Sequence, residues 1–444
     1  MTSNDSPPND IAMEKASNIK KVSLFAAVAV VVANMVGTGV FGSLGFQLID
    51  IPSGFPIMLL WFIGGVLAFC GAVCYAELGA MLSRSGGEYH LLSEIYHPAM
   101  GFLAGWISAT VGFAAPIALN ATLMGTYVGS IFDISSYWIS IPVVLIITAI
   151  HLGNLSNIAR FQIAFTAIKI GMIVALALAA FAIGTAQPIS FLPAAGDTDL
   201  ILSAPFATSL VYVLYAYTGW NAATYIVGEI DNPKRNFPLA LLIGTGFVMI
   251  IYLLLNASFL YATPIDDMKG VPEVGLVAAQ SVFGNKGGMI MGLLISFGLI
   301  STISSMTWAG PRVGATIGED YSLFAFLKRT NRNGVPVWAI LVQTLIVIIL
   351  ILSTSFEKLL NYIQAILTLS SLMVVIGIFV MRFKAPKAER PYRAWGYPIT
   401  PIVFAAFSIY ILYFQIKGEP TAFLIGLATV AVGFVTYLLA KNKR

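Results

Sequence analysis

Two short stretches, far apart in the chain, place small, polar and aromatic residues inside otherwise apolar runs. The first is Asn34-Met-Val-Gly-Thr-Gly-Val-Phe41 and the second is Tyr215-Ala-Tyr-Thr-Gly-Trp-Asn221. Glycine tolerates non-helical dihedrals and has no side chain to keep a ligand away from the backbone. We therefore expect both stretches to interrupt helices and to expose backbone groups that can bind a ligand.

Unwinding at Gly37-Thr38-Gly39 would supply the chemistry that recognises an α-amino acid. The helix that follows would begin with free N–H groups and a partial positive charge, which suit a carboxylate. Carbonyls freed upstream and at the second interruption would accept hydrogen bonds from an ammonium group. The alternative is a small-residue notch for helix packing, although the pairing of two interruptions favours the binding site.

Aromatic and amide side chains flank the second interruption. The ring of Tyr215 or of Trp220 could close over a bound substrate as a gate, and packing against the core or lipid is the alternative for each. Asn221 offers an amide that could bind a substrate side chain or tie down the broken helix. The residue types leave these alternatives open.

Lys169 stands inside a long apolar run, nine residues after Arg160. At about 1.5 Å per residue, its ammonium lies too deep to reach the end of the run. An intramembrane lysine is a functional candidate that faces the bundle interior. It would either release a proton during coupling or act as a fixed cation in place of sodium. Hydroxyl groups for such a site are offered by Ser301, Thr302, Ser304 and Ser305.

The composition places these residues in a membrane protein. Of the 444 residues, 58% are hydrophobic and 10% are charged, with a mean hydropathy of +0.87. This balance excludes soluble enzymes, nucleic-acid binders and disulfide-framed secreted domains. The two cysteines, Cys70 and Cys74, lie in one apolar run, and no cluster has the spacing of metal ligands. We expect no metal and no cofactor.

Twelve apolar runs are long enough to span a bilayer, so we predict an all-α integral membrane protein. The interrupted runs are the first and the sixth, which predicts inverted repeats of five spans each, at about 22–186 and 202–382, followed by two extra helices within 397–440. Polar tails at 1–21 and 441–444 complete the chain. The runs begin near residues 22, 56, 99, 136, 157, 202, 237, 286, 336, 357, 397 and 419.

The distribution of basic residues predicts the orientation. Placing both termini in the cytoplasm puts nineteen of the 24 lysines and arginines on the inner side and four on the outer side, and the remaining one is Lys169. The glycosylation sequons at Asn120 and Asn256 fall within spans, and that at Asn154 falls on the inner side. We expect a bacterial inner membrane.

The conjunction of motifs resembles the amino acid–polyamine–organocation transporters, in particular their L-type amino acid transporter branch. The resemblance covers residues 22 to about 440. Its motifs are Asn34-Met-Val-Gly-Thr-Gly-Val-Phe41, Gly71-Ala-Val-Cys-Tyr-Ala-Glu-Leu-Gly79, Ser83-Arg-Ser-Gly-Gly-Glu-Tyr89, Tyr217-Thr-Gly-Trp-Asn221 with the following Glu229-Ile-Asp-Asn-Pro-Lys-Arg-Asn236, and Arg390-Pro-Tyr-Arg393.

The resemblance implies a LeuT-type fold that works by alternating access. It implies that the amides of Thr38 and Gly39 hold the substrate carboxylate, that the carbonyls of Met35, Tyr215 and Thr218 take the ammonium group, and that Tyr215 is the aromatic gate. It also implies a fifth-span lysine, Lys169, near a vacant sodium site, so transport would be sodium-independent. The predicted substrate-binding set is Met35, Gly37, Thr38, Gly39, Tyr215, Thr218, Gly219 and Asn221.

Two departures from the branch refine the expectation. Thr218 replaces the first glycine of the Gly-Gly-Trp-Asn motif of large-substrate members, which favours smaller substrates. The loop Ile131-Phe-Asp-Ile-Ser-Ser136 lacks the cysteine by which some members bind a heavy chain, so no disulfide-linked partner is expected.

The sequence thus predicts a secondary transporter of neutral L-amino acids, either an exchanger or proton-coupled. Spans one, three and six offer no charged residue near the interruptions that could pair with a charged substrate. The alternatives are a carrier of cationic amino acids or polyamines, and an amino-acid sensor that does not transport. An enzyme is not expected, because no intramembrane catalytic set is visible. The expected partners are the amino acid, the lipid bilayer and, for a proton-coupled carrier, protons.

Overall fold

The structure, a computed structural model, describes residues 21–153, 155–271, 273–353, 356–418 and 420–441. Over these residues the chain folds into helices and loops, with two isolated bridges and no strand. Apart from residues 21 and 441, the predicted tails lie outside the described ranges. The all-α prediction is confirmed for the part of the chain described.

Seventeen α-helices make up the described chain, and short π- and 3₁₀-helical segments join some of them. In chain order they are α1 (Leu24–Met35), α2 (Thr38–Asp50), α3 (Gly54–Met81), α4 (Glu88–Ile95), α5 (Pro98–Ile107), α6 (Ala114–Phe132), α7 (Tyr137–His151), α8 (Leu155–Ile183), α9 (Asp197–Ile201), α10 (Ala204–Tyr217), α11 (Pro233–Ala262), α12 (Ile265–Met268), α13 (Val274–Asp320), α14 (Val337–Ser353), α15 (Phe356–Lys384), α16 (Ile399–Gly418) and α17 (Pro420–Lys441).

Nine helical stretches in the described ranges are long and apolar enough to cross a membrane, if α1 with α2 and α5 with α6 are each taken as one. Three of the twelve predicted runs correspond to shorter helices: α7 has 15 residues, α10 has 14 and α14 has 17. The helix α10 is short because the second interruption ends it. This architecture is that of an integral membrane protein.

Both predicted interruptions are present. The helix α1 ends at Met35 and α2 begins at Thr38, with Val36 and Gly37 outside helical geometry. The helix α10 ends at Tyr217, and after a turn the chain continues as a 3₁₀-helix over Ala222–Glu229. Each break leaves backbone groups without the partners that a continuous helix would supply.

The two interruptions lie against each other. Gly219 has a φ of +100°, and a Cβ built there would lie 2.8 Å from the carbonyl carbon of Asn34. A Cβ on Gly39 would lie 2.4 Å from the Cα of Ala216, so α2 and α10 cross at backbone contact. Glycine at these two positions allows an approach that any side chain would prevent.

Tyr252 of α11 joins the two broken helices. Its hydroxyl lies 2.5 Å from the carbonyl oxygen of Met35 at the end of α1 and 2.9 Å from that of Ala216 in α10. The residue is fully buried, and α11 also packs along α3. The interruptions are therefore held by helices that are themselves continuous.

Replacing Gly219 with alanine should destabilise the fold. The new Cβ would meet the Asn34 backbone, and a positive φ is costly for alanine, so we expect a loss of about 1–3 kcal/mol. The melting temperature of the detergent-purified protein measures this loss. Gly171→Ala is the matched control, because a Cβ added at Gly171 in α8 would meet no atom within 4 Å and should be tolerated. Equal melting temperatures for the two variants would contradict the inference that glycine at position 219 is required for the close approach of the two interruptions.

Candidate functional site

A small cavity of about 60 Å³ lies where the two interruptions meet. Its wall includes Asn34 at the end of α1, the turn between α10 and the 3₁₀-helix, Met306 of α13, and Ser371 of α15. The π-helical segment Ser108–Gly112, which joins α5 to α6, also contributes to the wall. Such π-helical segments are frequent at functional sites, because they widen a helix locally.

The second interruption supplies most of the predicted residues that line this cavity. Thr218, Gly219, Trp220 and Asn221 all line it. The other predicted substrate-binding residues, which belong to the first interruption or to α10, lie outside its lining. These residues are Met35, Gly37, Thr38, Gly39 and Tyr215.

The side chain of Asn120 in α6 binds one of the two backbone amides predicted to hold a carboxylate, that of Thr38. The Thr38 N–H donates to its side-chain oxygen at 3.2 Å, and the hydroxyls of Thr38 and Tyr215 lie 3.3 Å apart. Asn120 is held in place because its amide nitrogen donates to the Pro116 carbonyl at 2.7 Å. Sequence reasoning noted Asn120 only as a sequon, and nothing local to it signals this contact.

Two of the three predicted ammonium-binding carbonyls, those of Met35 and Tyr215, also have protein partners. The carbonyl of Met35 accepts the Tyr252 hydroxyl, and that of Tyr215 accepts the N–H of Thr218 at 3.0 Å and its hydroxyl at 2.6 Å. The side chain of Thr218 therefore caps the end of α10. A carbonyl oxygen has two lone pairs, so the Met35 carbonyl retains the capacity for a second donor.

Trp220 forms a wall between two cavities. Its ring packs edge-on against the rings of Tyr75 and of Phe404 in α16. The distances between ring centroids are 4.7 Å and 6.2 Å, respectively. Behind it lies a second cavity of about 50 Å³, which Leu67 and Ile411 help to line. The indole is thus wedged between α3 and α16 at the edge of the first cavity.

Lys169 of α8 reaches the first interruption. It is fully buried, and its Nζ lies 2.6 Å from the Val36 carbonyl, 2.8 Å from the Thr302 hydroxyl and 3.3 Å from the Ala33 carbonyl. Three oxygen partners match the three N–H groups of an ammonium. The side chain thus binds the open end of α1 to α8 and α13.

Of the four hydroxyl residues predicted near Lys169, only Thr302 forms a hydrogen bond with it among the described residues. The Ser305 hydroxyl donates to the Val30 carbonyl at 3.1 Å and also accepts from Asn34. Ser304 lies 2.9 Å from the Nε2 of His151. The Ser301 hydroxyl is buried with no hydrogen-bond partner in the part of the chain described.

Glu88, at the start of α4, is a buried carboxylate that sequence reasoning missed. It is 1% exposed and accepts hydrogen bonds from the Tyr75 hydroxyl at 2.6 Å and from the Asn221 amide nitrogen at 3.0 Å. The hydroxyls of Ser370 and Ser371 in α15 also donate to it. Burial raises the pKa of Glu88 above its usual value, because the ionised form loses its hydration, and these donors oppose the shift.

An ion pair anchors the 3₁₀-helix that follows the second interruption. Arg312 of α13 donates to Glu229 through Nε at 2.8 Å, and the indole of Trp308 donates to the same carboxylate at 3.2 Å. Because Arg312 is largely buried, the pair is screened little by solvent. The 3₁₀-helix Ala222–Glu229 is thereby fixed to α13.

Apolar spanning helices around a small polar cavity, formed where two broken helices meet, define a membrane transporter. The chain belongs to the amino acid permease family, whose sequence model matches residues 22–436. The resemblance drawn from the motifs is thereby confirmed.

Several characterised transporters are similar over nearly the whole chain. The b(0,+)-type amino acid transporter 1 of Mus musculus is 27% identical over 440 residues, covering 95% of this chain and 88% of the relative. The large neutral amino acids transporter small subunit 2 of Oryctolagus cuniculus is 26% identical, covering 95% and 80%. The cystine/glutamate transporter of Homo sapiens is 24% identical, covering 98% and 87%. The family and these relatives are transporters, not enzymes.

Removing the Lys169 ammonium should destabilise the first interruption. Lys169→Met keeps the length of the side chain but removes a donor from the carbonyls of Ala33 and Val36 and from the Thr302 hydroxyl. The Val36 carbonyl keeps the hydrogen bond from Thr302, and each oxygen left unpaired costs about 1–3 kcal/mol. Thermal unfolding in detergent measures the loss. Lys269→Met, at an exposed lysine, is the control and should leave the melting temperature unchanged. A Lys169→Met variant as stable as the control would contradict a structural role for the ammonium.

Proposed function

We propose that this protein is a secondary active transporter of neutral L-amino acids that works by alternating access. The observation that carries the proposal is the meeting of two helix interruptions at a polar cavity. Exposed backbone amides and carbonyls can bind the ammonium and carboxylate groups common to all amino acids. Membership of the amino acid permease family and the names of the relatives support amino acids as substrates.

The proposal includes twelve spans in a LeuT-type arrangement, with two inverted repeats of five and two further helices. The shorter helices α7, α10 and α14 would then complete the nine long stretches found in the described ranges. The interruptions would occupy equivalent positions in the two repeats. We further propose a bacterial inner membrane with both termini in the cytoplasm.

In the proposed bound state, the substrate carboxylate binds the amides of Thr38 and Gly39. The side chain of Asn120 now accepts from the Thr38 amide, so it would move aside as the carboxylate arrives. The ammonium group would bind the carbonyls of Met35, Tyr215 and Thr218. The contact between the hydroxyls of Thr38 and Tyr215 supports Tyr215 as the gate, because it already links the two interruptions.

Lys169 is the proposed coupling group, and transport is proposed to be independent of sodium. Its ammonium takes up two carbonyls and a hydroxyl, which are the oxygen ligands that a small cation would use. As a fixed cation it would suit an exchanger. If it releases a proton during the cycle, it would couple uptake to a proton gradient.

Glu88 favours one alternative, a carrier of cationic amino acids. Its carboxylate is bonded to Asn221 and Ser371, both of which line the cavity. However, four donors already surround Glu88, and Asn221 stands between it and the cavity. We therefore retain neutral substrates as the proposal. A partner subunit linked by a disulfide is not part of it, since the Ile131–Ser136 loop has no cysteine.

Flux measurements in liposomes test the proposed function. We expect labelled neutral amino acids of small size, such as alanine, serine and threonine, to enter liposomes that contain the purified protein. Uptake that requires internal unlabelled substrate and ignores pH identifies an exchanger, whereas uptake into empty liposomes driven by an inward proton gradient identifies a symporter. Replacing sodium with potassium should change neither rate.

Protein-free liposomes are the control, and excess arginine, glutamate and spermidine are the competitors. Uptake of labelled arginine or spermidine, with no neutral flux, would move the assignment to the cationic carrier. Binding of neutral amino acids without any flux would identify a sensor.

A further inference from the structure

Glu88 occupies a junction of three parts of the structure. It begins α4 directly after Gly87, which has a φ of +58° and so turns the chain inwards. Its carboxylate reaches Tyr75 of α3, the second interruption and α15. No salt bridge to Glu88 occurs among the described residues, so hydroxyl and amide donors alone solvate it.

This environment fixes the orientation of the Asn221 amide. The Asn221 side chain turns its NH₂ group towards Glu88, whose carboxyl oxygen accepts from it at 3.0 Å. Its oxygen, on the other branch of the planar amide, then points away from this carboxyl oxygen. No hydrogen bond to this oxygen occurs within the described parts of the chain, and Asn221 lines the cavity.

Other polar side chains at the cavity are already engaged through their donors. The Thr218 hydroxyl donates to the Tyr215 carbonyl at 2.6 Å. The amide nitrogen of Asn34 donates to the Val30 carbonyl at 2.9 Å and to Ser305. The donors of Thr218 and Asn34 are therefore taken up by protein acceptors. The hydroxyls of Ser108 and Tyr225, which also line the cavity, lie 3.4 Å from each other.

We propose that Glu88 is a positioning residue that holds the Asn221 amide with its oxygen towards the cavity, where it accepts a hydrogen bond from the substrate side chain. This inference rests on the proposed transport function and narrows its substrate class. The preferred substrates are small neutral amino acids whose side chain carries a donor, such as the hydroxyl of serine or threonine. Apolar amino acids of equal size bind less tightly, because they leave the Asn221 oxygen without a donor in the bound state.

Threonine and valine provide a direct test, since they have nearly the same shape and differ in one donor. Their affinities are measured by displacement of labelled alanine from the detergent-purified protein. One net hydrogen bond corresponds to about a fivefold preference for threonine. In Glu88→Met the Asn221 amide is free to rotate, so the ratio of the two affinities should fall to about one, while alanine affinity changes by less than about threefold.

Three further variants separate positioning from damage to the fold. Glu88→Gln retains an oxygen that accepts from Asn221 and should restore the threonine preference. Tyr75→Phe removes another bond to the same carboxylate and should leave the preference intact. The double variant Glu88→Met/Tyr75→Phe leaves no tyrosine hydroxyl unpaired, so it provides a folded protein without the carboxylate and should also lose the preference.

The outcomes distinguish this inference from the transport proposal. If wild-type protein binds threonine and valine equally, or if the double variant keeps the preference, the role of Glu88 is overturned while amino-acid transport stands. If Tyr75→Phe loses the preference as fully as Glu88→Met, the effect is general and positioning through Asn221 is wrong. If no amino acid displaces alanine or alanine itself does not bind, the proposed function fails first.

Discussion

Backbone groups freed by a broken helix have no water to bind in the interior of a membrane, so the protein itself must satisfy them. This requirement accounts for most of the buried polar side chains near the two interruptions. The Val36 carbonyl binds Lys169 and Thr302, and the Met35 carbonyl binds Tyr252. The Thr38 amide binds Asn120. These partners come from four different helices, so the first interruption depends on the surrounding bundle.

The same dependence gives the site its capacity to respond to a ligand. In the proposed transport cycle, an amino acid that binds at the interruptions would compete with protein groups for backbone donors and acceptors, and it would replace some of their bonds with its own. Binding energy can then shift the balance between two packings of the interrupted helices, which is what alternating access requires. Lys169 differs from these groups, because its fully buried ammonium has three oxygen partners within the protein and holds the end of α1 without a ligand.

Charge is kept away from the cavity by one layer of polar side chains. The carboxylate of Glu88 lies behind Asn221 and Ser371, and that of Glu229 is neutralised by Arg312. A cavity arranged in this way presents dipoles rather than net charge to its contents. This electrostatic arrangement supports the proposal of neutral substrates, since a charged side chain would find no direct partner of opposite sign.

Sequence alone determined the apolar spans, the two interruptions and the depth of Lys169, because these follow from residues that are neighbours along the chain. A glycine pair inside an apolar run, or a lysine in its middle, is recognisable without knowing which helices meet. Only the tertiary structure decided which side chains form hydrogen bonds with the groups at the interruptions. Asn120 meets Thr38 across 82 residues, Tyr252 meets Met35 across 217, and Asn221 meets Glu88 across 133. Such pairs depend on which helix faces come into contact, and local propensity carries no information about that. From the sequence, Glu88 is therefore interpreted as part of a polar loop, and only the fold shows that it is buried beside the cavity.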